Sequence, residues 1–172
     1  VDDPEIEILV VDNASPDDSA QQTAQWCAQH PGVKCLLSDT NRGYAGGMNW
    51  GASHAQSEWL FLVNNDTVFP PQALDALKRV VREAPANVAM IGPVTNAAGN
   101  GQRLWKPDAS PAEWLAIGET LHAQPTHLLM PVYRCDFFCI AIRRDVWHQL
   151  GGLDTAFGLG YYEDFDFSMR VR

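Results

Sequence analysis

Short apolar runs alternate with helical patterns along most of the chain. Each run is only about five residues long and is bounded by polar residues or glycines, which is typical of buried strands rather than helices. Strands that alternate with helices predict an α/β fold with a mixed, mostly parallel sheet flanked by helices. The predicted strands are Glu5–Asp12, Val33–Leu37, Trp59–Val63, Asn87–Val94 and two strands between Leu128 and Ile142 that meet near Arg134.

The segments between these predicted strands have patterns that are typical of helices. Ser15 is a favourable N-cap and Pro16 suits a first helical position, so the first helix is expected to begin there and to end near His30. Five more helices are predicted: one that ends at Ala52, one between Pro71 and Pro85, Pro111–His122, Asp145–Leu150, and one that begins at Glu163. Together the elements predict a single domain over residues 1–172.

Polar side chains follow two of the predicted strands. Asp12 ends the first strand, and Asn64, Asn65 and Asp66 follow Trp59–Val63. Ligands of α/β folds bind beyond the carboxyl ends of strands, so these side chains are expected at one edge of a parallel sheet. A carboxylate with an amide oxygen two residues earlier suits a hard cation such as Mg²⁺, provided that substrate phosphates add ligands. A polar turn closed by an Asx hydrogen bond is the alternative.

Two further stretches have unusual composition. Asn41–Gly47 is rich in glycine and leads into a helix, but its spacing matches neither common phosphate-binding pattern. The last helix carries Glu163, Asp164 and Asp166 in its first turn. Asp166 and Arg170 are four residues apart, and an ion pair between them would give Asp166 a structural role on the helix face. The other two acids either stabilise the helix dipole or belong to a site.

The composition fits a soluble globular protein of 172 residues, with 46% hydrophobic and 19% charged residues. Its net charge of −9 argues against nucleic acid or an anionic membrane surface as the main partner. No apolar run approaches the roughly 20 residues of a membrane span. The four cysteines lack zinc-site spacing and predict buried thiols in a reducing compartment, with a disulfide or metal site as the alternative. They are Cys27, Cys35, Cys135 and Cys139.

Four separated motifs together resemble family-2 glycosyltransferases of the GT-A fold, especially bacterial rhamnosyltransferase-like members. The motifs are Val10–Ser15, Asn41-Arg42-Gly43 with Asn49, Asn64–Thr67, and Glu163-Asp164-x-Asp166-x-x-x-Arg170. The similarity covers nearly the whole chain, and the order and spacing make the combination specific. Members of the family usually have an apolar strand and a helix before the strand that ends at Asp12. The resemblance therefore implies an internal fragment without the first strand and the C-terminal part. The missing strand would lie between the strands that end at Asp12 and Val63, so a gap, a strand borrowed from another molecule or poor stability of the fragment is expected.

The resemblance also implies where a donor would bind. In the family, the aspartate at the place of Asp12 faces the nucleobase of a nucleotide-diphosphate sugar, and Asn13 follows it. The loop and helix that hold Asn41, Gly43 and Asn49 lie beside the nucleoside. These five residues are the expected donor-binding residues.

The other two motifs imply the metal and the base. The motif with Asp66 binds a divalent metal, Mg²⁺ or Mn²⁺, on the donor diphosphate. Asn64 is the second candidate ligand, at a position where the family often has aspartate, and Asn65 is a further donor contact. Asp164 matches the general base that activates the acceptor hydroxyl, and the neighbouring Glu163 is the alternative base.

These roles predict an inverting sugar transfer to a saccharide or lipid-linked saccharide, in cell-surface polysaccharide synthesis. The expected location is cytoplasmic, and any association with the inner face of the cell membrane would come through parts outside this chain. Aromatic residues are candidates for stacking on sugars, with core packing as the alternative. They are Trp105, Trp114, Tyr161 and Tyr162. Competing hypotheses are a nucleotidyltransferase of related fold and a non-catalytic sugar- or nucleotide-binding module.

Overall fold

The computed structural model describes residues 3, 5–104, 106, 108–123 and 129–172. Strands and helices alternate along these residues, which confirms the predicted α/β class. In chain order they are β1 (Ile8–Asp12), α1 (Ser19–Ala28), β2 (Val33–Leu37), α2 (Gly43–His54), β3 (Trp59–Val63), α3 (Ala73–Glu83), β4 (Met90–Ile91), α4 (Pro111–His122), β5 (Cys139–Arg143), α5 (Arg144–Leu150), a 3-10 helix (Thr155–Phe157) and α6 (Glu163–Val171).

The strands of the described residues form two small sheets. β1 pairs with β2 in parallel, whereas β5 lies between β3 and β4 and is antiparallel to both. The expectation of one mostly parallel sheet containing β1 and β3 is therefore wrong in this detail. β5 runs back along one edge of β3, which makes the second sheet antiparallel. The second edges of β1 and β3 have no strand partner among the described residues, in agreement with the gap that the resemblance implied.

Several element boundaries differ from the sequence prediction, and three of the differences have a structural explanation or remove an element. Helix α1 begins at Ser19 and not at Ser15, because the Asp12 carboxylate accepts the Ser15 N–H at 3.2 Å and the chain first turns. β4 has two residues, and Pro93, which has no N–H to donate, follows closely. The predicted strand before Arg134 is absent from the described residues 129–138; Leu128 lies outside them.

Two hydrophobic clusters cover the two faces of the β3–β5–β4 sheet. Leu60 and Leu62 of β3 lie in the larger cluster, with residues of α2, α5 and α6. Trp59 and Phe61 alternate with them and pack against the smaller cluster, which includes Val81 of α3. This period of two is what a strand buried on both faces requires. Helix α2 also contacts β1, so it spans both sheets.

The cysteines are free thiols, and three of the four are buried. Burial raises the pKa of Cys135 to about 11 and that of Cys139 to about 12. These findings agree with the prediction of small buried thiols. Among the described residues, no helix has the length and apolar character needed to cross a membrane.

Candidate functional site

The side chain of Asn13 joins the loop after β1 to the start of α2. Its Nδ2 donates to Asn41 Oδ1 at 3.2 Å and to the Gly43 carbonyl at 3.0 Å. Its Oδ1 accepts the Arg42 N–H at 3.0 Å. Asn41 Oδ1 also accepts the Gly43 N–H at 2.9 Å. Three predicted donor-binding residues thus form one network that fixes the entry into α2.

Asp12 and Asn49 lie in the same region and contact the main chain. Asp12 is buried and its Oδ1 accepts the Ser15 N–H. Asn49 Nδ2 donates to the Leu153 carbonyl at 2.8 Å, and its Oδ1 accepts the Leu153 N–H at 2.8 Å. Both ends of the Asn49 amide therefore hold the segment after α5 against α2. A nucleoside contact from Asn49 would have to compete with this pair.

The turn after β3 is fixed on one side and open on the other. The Phe138 carbonyl accepts the Asn64 N–H at 2.8 Å and the Thr67 hydroxyl at 3.1 Å. Asn65 and Asp66 are exposed between them. Asn64 Oδ1 is buried without a hydrogen-bond partner in the described part of the chain, so it does not close an Asx turn. The turn presents one exposed carboxylate and one unsatisfied amide oxygen.

The acidic start of α6 follows a strained backbone. Tyr161 and Tyr162 have φ angles of 77° and 72°, which are unusual for bulky residues. Glu163 is only 6% exposed, and its buried Oε2 has no hydrogen-bond partner among the described residues. Asp164 is half-buried, and its Oδ1 accepts the Phe165 N–H at 2.7 Å. Asp164 is therefore the more accessible of the two acids.

Arg170 fixes the other side of α6. It forms the predicted ion pair with Asp166, with 2.7 Å between Nη2 and Oδ2. It also donates to the carbonyls of Leu150 and Gly152 at 2.8 and 2.9 Å. Asp166 is thus accounted for by the structure of the helix.

Tyr44 in the first turn of α2 binds the main chain beside the turn after β3. Its hydroxyl donates to the Phe137 carbonyl at 2.9 Å, next to the Phe138 carbonyl that holds the turn. Burial, and then the negative charges of Glu163 and Asp164, raise the pKa of the Tyr44 phenol above its ordinary value. The tyrosine therefore remains a neutral donor near both acids. Sequence reasoning missed Tyr44, whose only signal was an aromatic residue in a helix of small residues.

The described residues offer oxygen ligands for Mg²⁺ or Mn²⁺ but no self-sufficient metal site. No group of three or more histidine, cysteine or acidic side chains within the described ranges could hold an ion. Asp66 supplies an exposed carboxylate, and Asn64 supplies the unpartnered Oδ1. Hard divalent cations prefer such ligands and take further ones from phosphates and water. The residues therefore fit a cation that binds together with a diphosphate.

The aromatic candidates differ in exposure. Tyr161 is 85% exposed and Tyr162 is 70% exposed. Trp114, on α4, is half-buried, and Trp105 lies outside the described residues. The two tyrosines next to Glu163 are thus the aromatic rings most open to a ligand.

Comparisons with known proteins are consistent with this geometry. The low-salt glycan biosynthesis hexosyltransferase Agl10 of Haloferax volcanii is 30% identical over 175 residues, which cover 96% of this chain and 53% of that protein. The N-acetylglucosaminyl-diphospho-decaprenol L-rhamnosyltransferase of Mycobacterium tuberculosis is 22% identical over 193 residues, 96% of this chain and 61% of that protein. The chain thus spans a little over half the length of such relatives.

Two solved structures share the fold. The mannosyltransferase PcManGT of Pyrobaculum calidifontis, solved in complex with GDP-Man and Mn²⁺, has a TM-score of 0.66 at 22% identity, over 96% of this chain and 42% of that one. TarS of S. aureus has a TM-score of 0.64 at 19% identity, over 99% of this chain and 47% of that one. These likenesses confirm the predicted GT-A fold.

The profile of the family described as Glycosyl transferase family 2 matches residues 2–151. This range includes Asp12, Asn49 and Asp66 and ends before α6. The match covers most of the chain, so the chain belongs to glycosyl transferase family 2, as the sequence motifs predicted.

Proposed function

We propose that this chain forms the donor-binding and catalytic part of an inverting glycosyltransferase. It would transfer a sugar from a nucleotide-diphosphate donor to a hydroxyl of a saccharide or lipid-linked saccharide. The observation that carries the proposal is a pair of acidic features among the described residues: the exposed Asp66 in the turn after β3 and the half-buried Asp164 in the first turn of α6. A displacement at a sugar carbon needs one group at the leaving diphosphate and another at the acceptor.

The donor would lie between β1 and the start of α2. Asp12 would contact the nucleobase, while Asn13 and Asn41 would shape the nucleoside site through the amides that hold each other. Gly43 and Asn49 would border this site. The hydrogen bonds among these residues favour a site that is formed before the donor binds.

Asp66 is the proposed metal ligand, with Asn64 as the second oxygen and Asn65 as a donor contact. When bound, Mg²⁺ or Mn²⁺ would supply positive charge against the negative charge that builds on the leaving diphosphate, an effect larger in the transition state than in the ground state. The exposure of Asp66 and the unsatisfied oxygen of Asn64 support this assignment. A relative of the same fold, PcManGT, was solved with both GDP-Man and Mn²⁺.

Asp164 is the proposed general base. The bond from the sugar carbon to the diphosphate oxygen would break as the acceptor oxygen bonds to the opposite face, and the acceptor proton would pass to Asp164. A positioned base contributes typically about 10²–10⁴ in rate. Glu163 is buried, so we assign it a supporting role.

The acceptor would bind on the side of Tyr161 and Tyr162, whose exposed rings could stack on a sugar. Trp114 and Trp105 remain further candidates. The proposed process is cell-surface polysaccharide synthesis in the cytoplasm by a single catalytic domain. Any contact with the inner face of the membrane would come through parts outside this chain.

Binding and transfer assays on the intact protein test the proposal. We expect one nucleoside diphosphate from a panel to raise the melting temperature, and to raise it further with Mn²⁺. The matching sugar nucleotide should then be transferred to a saccharide with inversion at the anomeric carbon, which nuclear magnetic resonance detects. A product that retains the donor configuration would contradict the inverting mechanism.

The two competing functions give different outcomes in the same assays. Binding without transfer, and without donor hydrolysis in the presence of Mn²⁺, would identify a non-catalytic module. Formation of a sugar nucleotide from a nucleoside triphosphate and a sugar phosphate would identify a nucleotidyltransferase.

A further inference from the structure

The loop between the 3-10 helix and α6 rests on the first turn of α2. A Cβ atom on Gly43 would clash with the Gly158 carbonyl. The close approach of these two segments of the chain therefore requires glycine at position 43. The Tyr44 N–H donates to the Leu159 carbonyl at 3.0 Å. A Cβ on Gly160 would lie 3.9 Å from Tyr44 Cβ. Three successive loop residues thus contact two successive residues of α2.

This contact lies directly before the acidic start of α6 in the chain. Tyr161 and Tyr162 come directly after Gly160, and both have left-handed backbone. Bulky residues keep this conformation only where their surroundings impose it. The two tyrosine side chains are mostly exposed and provide little packing. The docked segment 158–160 therefore fixes the direction in which the chain enters α6.

The same turn of α2 is tied to the donor side. The Gly43 carbonyl accepts from Asn13 Nδ2 at 3.0 Å, and the Gly43 N–H donates to Asn41 Oδ1 at 2.9 Å. Both polar groups of the Gly43 main chain thus bind the donor-side loops, while its Cα faces Gly158. The close approach of Gly158 is enough to explain the glycine without a ligand.

We propose that Gly43 and Tyr44 are positioning residues, which hold Asp164 in place for catalysis by docking segment 158–160 on α2. This inference rests on the proposed function, because it takes Asp164 as the base. Loss of the docking should lower kcat, since displacement of a catalytic group by about 1 Å can cost on the order of a hundredfold in rate. Nucleotide affinity should change far less than kcat, because the added Cβ meets Gly158 on the loop side and not the Asn13 and Asn41 side chains.

Gly43→Ala in the intact protein tests the docking, with Gly151→Ala as the matched control. Both glycines have positive φ, +68° and +77°, so both replacements strain the backbone in a similar way. A Cβ on Gly151, which ends α5, meets no atom within 4 Å. We expect kcat to fall about 30-fold or more in Gly43→Ala and to stay within about threefold in the control. Calorimetry should give a nucleoside diphosphate affinity within about threefold of wild type in both.

Hydrogen exchange measured by mass spectrometry gives a readout that needs no substrate. We expect faster exchange over residues 158–164 in Gly43→Ala and unchanged exchange there in Gly151→Ala. A wild-type protein without transferase activity would refute the proposed function, while the exchange data would still test the docking itself.

Three outcomes would overturn the inference. One is a parallel loss of kcat and nucleotide affinity in Gly43→Ala, which would show that the replacement acts through the donor-side loops and not through the docking. The second is an equal loss of kcat in Gly151→Ala, and the third is unchanged kcat and exchange in Gly43→Ala. If Gly43→Ala fails to fold, Gly160→Leu compared with Gly160→Ala applies the same test from the loop side, since only the larger side chain would push against Tyr44.

Discussion

The donor-side loops and the acidic side of the site differ in how their polar groups are satisfied. Asn13 and Asn41 bond to each other and to the main chain at the start of α2. Asn64 Oδ1 and Glu163 Oε2 are buried without a hydrogen-bond partner in the described part. An unsatisfied buried group costs about 1–3 kcal/mol, so such groups need an explanation. The difference separates a hydrogen-bonded scaffold on the donor side from an acidic side with two unsatisfied buried oxygens.

Asp164→Asn should have the largest effect, because it removes the proposed base on the acidic side and leaves the donor-side loops unchanged. We expect turnover to fall at least about a hundredfold while donor affinity stays within a few-fold. Steady-state kinetics and calorimetry on the intact protein measure the two quantities. Asp145→Asn on α5 is the control and should leave both near wild type.

The neighbouring acid gives the contradicting outcome. Near-normal turnover in Asp164→Asn together with an inactive Glu163→Gln would transfer the role of base to Glu163. Activity in both variants would leave the acidic turn as a helix cap.

Asp66→Asn tests the same region at the turn after β3. It removes the exposed carboxylate and should weaken Mn²⁺-dependent binding of a nucleoside diphosphate by about 30-fold, with nucleoside affinity unchanged. Calorimetry with and without Mn²⁺ measures both affinities. Asp75→Asn in the first turn of α3 serves as the control. Equal diphosphate affinity in wild type and Asp66→Asn, with Mn²⁺ present, would exclude Asp66 as a ligand.

Asn13→Ala tests the scaffold. It removes three hydrogen bonds that join the loop after β1 to α2, so the free energy of unfolding should fall by about 1–2 kcal/mol. Urea denaturation measures this change, and Asn87→Ala at an exposed position is the control. A loss no larger than that of the control would mean that these bonds add nothing to the scaffold, and the contrast between the two regions would disappear.

Local patterns were enough to predict most elements of the fold. Val33–Leu37, Trp59–Val63 and Pro111–His122 have the predicted bounds, because apolar runs and a capping box determine them. The antiparallel β3–β5–β4 sheet was not predictable in the same way. It depends on where β5 pairs, and that pairing joins residues about 80 positions apart in the chain.

The site was predictable in part for similar reasons. Asp66 and Asp164 could be singled out because one follows an apolar strand and the other begins an acidic helix turn; their roles remain predictions. Tyr44 could not, because its hydroxyl bonds to Phe137, 93 residues away. The glycine-rich stretch around Gly43 indicated an unusual backbone position. It could not show that the Gly158 carbonyl lies where a Cβ atom of residue 43 would be.

Glu7→Gln should have the smallest effect, and it tests the charge of Glu7, which joins Lys34 of β2 to the loop before β3. Glu7 accepts a bond from Lys34 at 2.6 Å and from the Gln56 N–H at 3.0 Å. The Lys34 bond, and then the Gln56 bond, lower the pKa of Glu7 below its ordinary value of 4.5. Glutamine can still accept from Gln56 but loses the charge opposite Lys34. Because Lys34 is 59% exposed, solvent screening limits the loss of stability to about 0.5 kcal/mol at neutral pH.

The pH dependence of this loss has a definite sign. A carboxyl whose pKa is lowered on folding stabilises the protein above its ordinary pKa, and this contribution disappears as the pH falls through the folded value. Wild type and Glu7→Gln should therefore differ at neutral pH and converge well below pH 4.5. Urea denaturation across that range measures the difference, which should also shrink in high salt. A difference that persists in acid would show that Glu7 acts through packing, and the link between the two sheets would then not depend on its charge.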